Sequence, residues 1–276
     1  MSIRITKEQL VKIGALPVNA EKYVKPLNDT CNKYNINTIA RVCAFICQTF
    51  EETGALSITT ESLNYSAERM MEVWPKRFPS LESAQPYAHN PQALAEKTYG
   101  GRGGNPVGKA YLYCGRGALQ LTFFNNYRAC GLDLGVDFVN HPELVAEPEY
   151  FYETAGWFWN KTNCNKYADG DSEYAVREVT GIVNGNPDGN LKTRVAYWHK
   201  AKAVIDNSIF VNDAPVVSSV VEAPKVEVKP VEQVKEEPKT VAPVTSPVVT
   251  QTQAQKPSLL TLIVNALSSI FKKKGN

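Results

Sequence analysis

From Val211 onward the chain changes character, and that change confines whatever can form a packed core to the residues before it. Residues 211–257 carry prolines at short intervals from Pro215 to Pro257, among Val, Lys and Glu, with no aromatic residue and no glycine. Each proline removes a backbone donor and fixes φ, so neither a helix interior nor a central strand can run through the segment. It reads as an extended, solvated linker. The domain expectations are therefore a globular part over residues 1–210, a flexible linker over 211–257 and a short tail over 258–276.

The globular part is dominated by helical patterns. In "ITKEQLVKIGAL" Thr6 stands three residues before Gln9, the spacing of a capping box. Residues from about Asn37 to Thr53 are apolar on nearly all sides, which predicts a central buried helix stopped by Gly54. Ser66 caps "SAERMMEVWPKRF", and Pro75 limits that helix. "PQALAEKTY", "PEYFYETAGWFWN" and "SEYAVREVTGIVN" predict three more. Strand signal is thin, confined to "LSITTES" and "ALQLTFF". The expected class is mainly α, formally α+β, with a small sheet element and two lobes around a groove.

The tail "SLLTLIVNALSSIFKKKGN" offers Ser258 as a cap, Leu259, Leu260, Ile263, Leu267, Ile270 and Phe271 as an apolar face, and Lys272–Lys274 at the negative helix end. Its apolar run is shorter than the ~20 residues a spanning helix needs. A cationic helix lying in a bacterial membrane interface through residues 258–274 is one reading. Docking on the chain's own core or on a partner is the other, made less natural by the long linker.

Composition excludes little by itself. A net charge of +2 gives no global basic excess, so nucleic acid is not an expected partner. The N-terminus lacks the charged head, apolar stretch and cleavage site of a secretion signal, so the expected location is a cytoplasm. Cys43 and Cys47 lie one turn apart inside "VCAFIC", where a free thiol packs as a small hydrophobe. No CxxC pair, HExxH or GxSxG occurs, and His89, His141 and His199 are widely spaced. Neither a metal nor an organic cofactor is called for.

Two acids, Glu51 and Glu52, close the predicted central helix, and Glu61 follows across a short polar connection. The negative helix end and apolar neighbours disfavour the ionised form of Glu52, as a general acid requires. Glu51 points about 100° away around the helix, so only one of the two can face a groove squarely. Glu61, in a Thr/Ser setting, is expected to remain ionised, and one acid with one base is the glycosidase arrangement. A merely solvated helix end is the bland alternative. In "YCGRGALQLTFFNNY", Gly115 and Gly117 permit a tight path near a ligand, and Gln120 and Thr122 share a face if this is a strand. Its amides, hydroxyls and rings suit N-acetylated sugars, although Arg116 can equally be an internal brace.

The ordered set "CQTFEETGAL…TESLNYSAERM…YAHNP…YCGRGALQLTFFNNYRACG…NPDGNLKTRVAYW" resembles glycoside hydrolase family 19, and more closely its lysozyme-like branch found in bacteriophage endolysins. The resemblance runs over residues 5–205. It implies a lysozyme-like bilobal fold and hydrolysis of β-1,4 bonds beside N-acetylglucosamine or N-acetylmuramic acid with inversion. It places the general acid on Glu52, with Glu51 where the family has histidine, and a water-holding hydroxyl on Thr122. Substrate-binding positions fall on Tyr65, Arg116, Gln120, Asn126, Asn184 and Arg194. For the general base Glu61 is the leading candidate, because residues 100–114 contain no acid.

The expected function is an endolysin-type hydrolase of peptidoglycan glycan strands, held in a host cytoplasm until lysis and then acting on the wall, its tail assisting membrane contact. Chitin is the alternative substrate. A sugar-binding or membrane-active protein without catalysis is the alternative of another class, supported by Glu51 and by the acid-free segment.

Overall fold

A computed structural model describes residues 2–212, and the expectations for the linker and the tail helix fall almost wholly outside the described residues. The chain opens with a short strand, β1 (Ser2–Ile3), and three helices: α1 (Lys7–Ile13), α2 (Pro17–Lys33) and α3 (Ile39–Thr53). The capping box forms as the spacing predicts: the Thr6 hydroxyl accepts from the Gln9 backbone N–H, and the Gln9 side chain accepts from the Thr6 backbone N–H. Thr38 caps α3, and Gly54 ends it in the left-handed conformation that glycine adopts without strain. Eleven of the last twelve residues of α3 are buried; the exception is Glu51, which is half-exposed.

The next three helices are α4 (Ala67–Val73), capped by Ser66, α5 (Leu81–Ala84) and α6 (Pro91–Tyr99). They close around a core of their own. Tyr65, Trp74, Phe78 and Tyr87 form a chain of rings with centroids 5.1, 6.1 and 5.6 Å apart, and Met70, Leu94 and Tyr99 join them. The chain then returns through α7 (Phe124–Leu134), α8 (Pro148–Phe151), α9 (Glu153–Lys161), α10 (Cys164–Ala168), α11 (Glu173–Asn184) and α12 (Leu191–Lys202), ending in β2 (Phe210–Val211). These pack around α3, with α12 running against it along more of its length than any other pair of elements. Stacking of Tyr23 on Phe151 at 4.3 Å and of Phe45 edge-on to Trp159 at 5.0 Å fills the centre. Full burial of one such ring contributes about 1.5–3 kcal/mol. Two hydrophobic cores thus give the two lobes, and the mostly helical class with a small sheet is the one expected.

Where the sheet lies differs from expectation. "LSITTES" and "ALQLTFF" do not become strands; they meet only in single bridges, Thr60 with Arg116 and Arg116 with Leu121. Left-handed backbone at Gly117 and Gln120 breaks the second segment too sharply for a ladder to propagate. The sheet instead joins the two ends of the described chain, pairing Ser2 with Val211 and Ile3 with Phe210 in antiparallel register. Asn28 and Asn32 of α2 hold it by exchanging hydrogen bonds with the backbone of Ile5 and Ile3. "PEYFYETAGWFWN" forms two helices rather than one, and residues 17–33 and 191–202 are helices for which no expectation was stated.

Candidate active site

Glu52 lies in the last turn of α3 with 3% of its surface exposed. The setting is not the purely apolar one expected, because Oε1 accepts from Arg194 Nη2 at 2.6 Å. Arg194 on α12 is itself completely buried. Its Nη1 donates to Gln48 Oε1 at 2.5 Å and its Nε to the Gly189 carbonyl at 3.1 Å. Gln48 in turn donates from Nε2 to Thr180 Oγ1 on α11. A hydrogen-bonded chain through three helices therefore fixes the carboxylate. Arg194 is corrected from a sugar-binding residue to one that works from beneath Glu52, since no part of it reaches the surface. Nor does Glu52 win the more open direction: Glu51, one position earlier, is the more exposed of the pair.

Glu61 sits where the two lobes meet. Its backbone N–H donates to the Gly115 carbonyl at 2.8 Å, beside the bridge between Thr60 and Arg116. Its carboxylate accepts from the Tyr99 hydroxyl at 2.7 and 2.8 Å and from the Gly115 N–H at 3.2 Å. Only 6% of the residue is exposed, and that burial pushes its pKa up to about 7, against the opposing pull of Tyr99, Gly115 and Arg116. The expectation of a solvated, fully ionised Glu61 is thus overturned. Neighbouring hydroxyls in the sequence do not matter when the side chain turns inward to a tyrosine 38 residues away.

The segment after Gly115 is a turn whose shape depends on Gly117. That residue has φ of +77°, and a Cβ there would come within 2.9 Å of Thr154 Oγ1 and 3.2 Å of two backbone carbonyls. Gln120 closes the turn in the left-handed region, its Nε2 donating to the Gly117 carbonyl, rather than alternating along a strand. Gln120, Thr122 and Asn126 nevertheless line one depression, together with Leu119, Leu121, Thr154, Ala155, Phe158 and Val183. The Oε1 of Gln120 is buried there without a protein partner. Thr122 donates to the Gln120 carbonyl and Asn126 to the Thr122 carbonyl, each at 2.8 Å. The three polar side chains expected to meet a sugar are therefore gathered in one place.

The other expected binding residues are not on that surface. Arg116 is a brace: Nη1 donates to the Leu112 carbonyl and to the Tyr127 hydroxyl, fastening the turn. Tyr65 is only 5% exposed, its ring packed on Trp74 in the small lobe, so it offers no face for stacking a sugar. Asn184, the last residue of α11, is completely buried against the turn that carries Gly189. Local sequence gave no sign of Tyr99 or Gln48, the residues that hold Glu61 and Arg194. Nothing in the spacing of either distinguishes it from a core residue.

Among the described residues no cluster of His, Cys, Asp and Glu could hold a metal ion, and no helix is long and apolar enough to cross a membrane. All six cysteines are buried free thiols.

Comparison with known proteins agrees with this geometry. The chitinase class I pattern of glycoside hydrolase family 19 matches residues 28–174, a span that contains Glu52, Glu61, Thr122 and Asn126. A glycosyl hydrolase family 19 domain-containing protein of Haemophilus influenzae is 34% identical over 148 residues, covering 52% of this chain and 70% of that relative. Endochitinase A2 of Pisum sativum is 44% identical over 118 residues, which cover 34% of this chain and 36% of the pea protein. The chain thus spans about a third of the plant relative's length. In fold it is similar to chitinase C from Streptomyces griseus, with a TM-score of 0.50 at 18% identity over 74% of this chain and 93% of that one. The chain belongs to glycoside hydrolase family 19.

Proposed function

We propose that this glycoside hydrolase cuts β-1,4 bonds in the glycan strands of bacterial peptidoglycan by single displacement. Glu52 gives its proton to the glycosidic oxygen as the bond to the anomeric carbon breaks. Glu61 removes a proton from a water that attacks the same carbon from the opposite face, and the Thr122 hydroxyl helps hold that water. The products carry inverted anomeric configuration, and the proton lost by water replaces the one spent on the leaving group. The observation that carries this reading is a pair of nearly water-free carboxyl groups. One is fixed by Arg194 in the large lobe and the other is fastened to Tyr99 of the small lobe. A base with a pKa near 7 is poised for work at neutral pH. The depression lined by Gln120, Thr122 and Asn126 supports amide and hydroxyl recognition of an N-acetylated sugar.

Peptidoglycan is favoured over chitin by the "E-x-L-N-Y-S" context of Glu61 and by the cationic tail sequence. Chitin is the second reading, favoured by the names of the plant relatives. Mass spectrometry of products from purified peptidoglycan and from chitin oligomers, with native protein and Glu52→Gln, separates them. New reducing ends from peptidoglycan, absent with the variant, are expected. Cleavage of chitin alone moves the substrate to the second reading. Turnover retained by Glu52→Gln removes Glu52 from the mechanism.

A further inference from the structure

The end of α3 brings two carboxyl groups to one guanidinium. Arg194 gives its only direct bond to a charged group to Glu52, while its Nε and Nη1 are committed to neutral acceptors, Gly189 and Gln48. Glu51 receives the positive charge only through space, and its carboxyl is held by the Asn190 side chain at the start of α12. The groups facing it are Cys47 one turn earlier on α3, Glu52 beside it, and Arg194 and Tyr197 on α12. Tyr197 packs edge-on against Phe50 at 5.6 Å, which closes one side of the cluster. Burial pushes the Glu51 pKa up to about 7; Arg194 and Asn190 pull against that rise, and Glu52 adds to it.

This arrangement bears on a difficulty in the chemistry. A general acid must hold a proton, yet a buried guanidinium bonded to a carboxyl group favours the loss of that proton. A second negative charge alongside opposes the guanidinium. We propose that Glu51 is a positioning residue for the general acid: held by Asn190, its charge offsets Arg194 and keeps a proton on the Glu51–Glu52 pair where the enzyme works. The inference rests on Glu52 being that acid. The two carboxyl groups then titrate as a unit. The alkaline limb of the rate profile, where the acid form is used up, belongs to the pair.

The test is kcat/KM against pH on purified peptidoglycan for the native protein, Glu51→Gln, Glu51→Asp and Glu52→Gln, with folding of each checked by thermal melting. Glu51→Gln keeps the shape and an acceptor for Asn190 but removes the charge. The pair's remaining carboxyl then gives up its proton sooner, so the alkaline limb moves to lower pH by about one unit. Glu51→Asp, which restores the charge, returns the limb toward its native position. A uniform fall at every pH in Glu51→Gln, with the limb unmoved and Glu52→Gln inert, overturns this proposal and leaves Glu52 as the acid. Turnover retained in Glu52→Gln overturns both.

Discussion

Glu61 is bonded to two donors and no cation, and its charge is tolerated only because Tyr99 and Gly115 aim hydrogens at it. A hydrogen bond to a charged group contributes about 1.5–3 kcal/mol, equivalent to about one to two pH units. Tyr99→Phe is therefore expected to raise Glu61 further. The acid limb of the rate profile should move to higher pH, with activity at pH 6 lower by about tenfold and restored above pH 8. An unmoved limb would detach Tyr99 from the chemistry. Stability should follow the same group. A carboxyl with a pKa of about 7 in the folded state, against an ordinary 4.5, retains a proton that the unfolded chain has released. Stability is then fully present below pH 4.5 and is lost as pH rises through 7. Half-buried Glu51 contributes in the same direction. Melting midpoints should be higher at pH 5 than at pH 8, and Glu61→Gln should reduce that difference.

At the level of elements, the site depends on close packing of helices that carry none of its chemistry. Gly156 in α9 is the point where that helix meets α2. A Cβ there would lie 2.3 Å from Tyr34 Cδ2 and 2.5 Å from Thr30 Cγ2. The Tyr34 ring cannot swing aside freely, because its hydroxyl donates to Glu153 at 3.0 Å. Gly156→Ala should therefore force the helices apart and cost about 1–3 kcal/mol, read as a fall in the denaturation midpoint. Thr154 and Ala155 line the depression beside Gln120, so activity on peptidoglycan should fall with the packing. Normal stability in that variant would mean that α2 and α9 are less tightly opposed than the distances imply.

For the whole molecule, the clasp between β1 and β2 ends the described fold at its own N-terminus, just before the proline-rich segment begins. A chain stopped after Asn212 keeps both lobes, the clasp and every residue assigned to the chemistry. We expect it to hydrolyse isolated peptidoglycan at the native rate. If the tail works at a membrane surface, the shortened chain should act more weakly on intact cells, by tenfold or more in a turbidity assay. Equal activity on both substrates would retire a membrane role for residues 258–276.

How much of this was legible in the sequence depends on the range of the forces involved. Capping by Thr6 and Ser66, the buried run of α3, its stop at Gly54 and the start of α6 at Pro91 could be read directly. Each is decided within one or two turns of backbone, by hydrogen bonds and steric limits between residues a few positions apart. The break near residue 211 could be read for the same local reason. The charge states of the acids could not. Arg194 reaches Glu52 across 142 positions, Tyr99 reaches Glu61 across 38, and neither distance in sequence carries any signal of contact. The strands failed likewise, because a ladder needs a partner and the tight turn at Gly117 and Gln120 denies one. Sequence alone determined which segments are helices and which acids are candidates. Only the tertiary structure decided which acid is sealed beneath a guanidinium, which holds its proton near neutrality and which stays half-open to water, because burial and charge pairing are properties of the assembled interior.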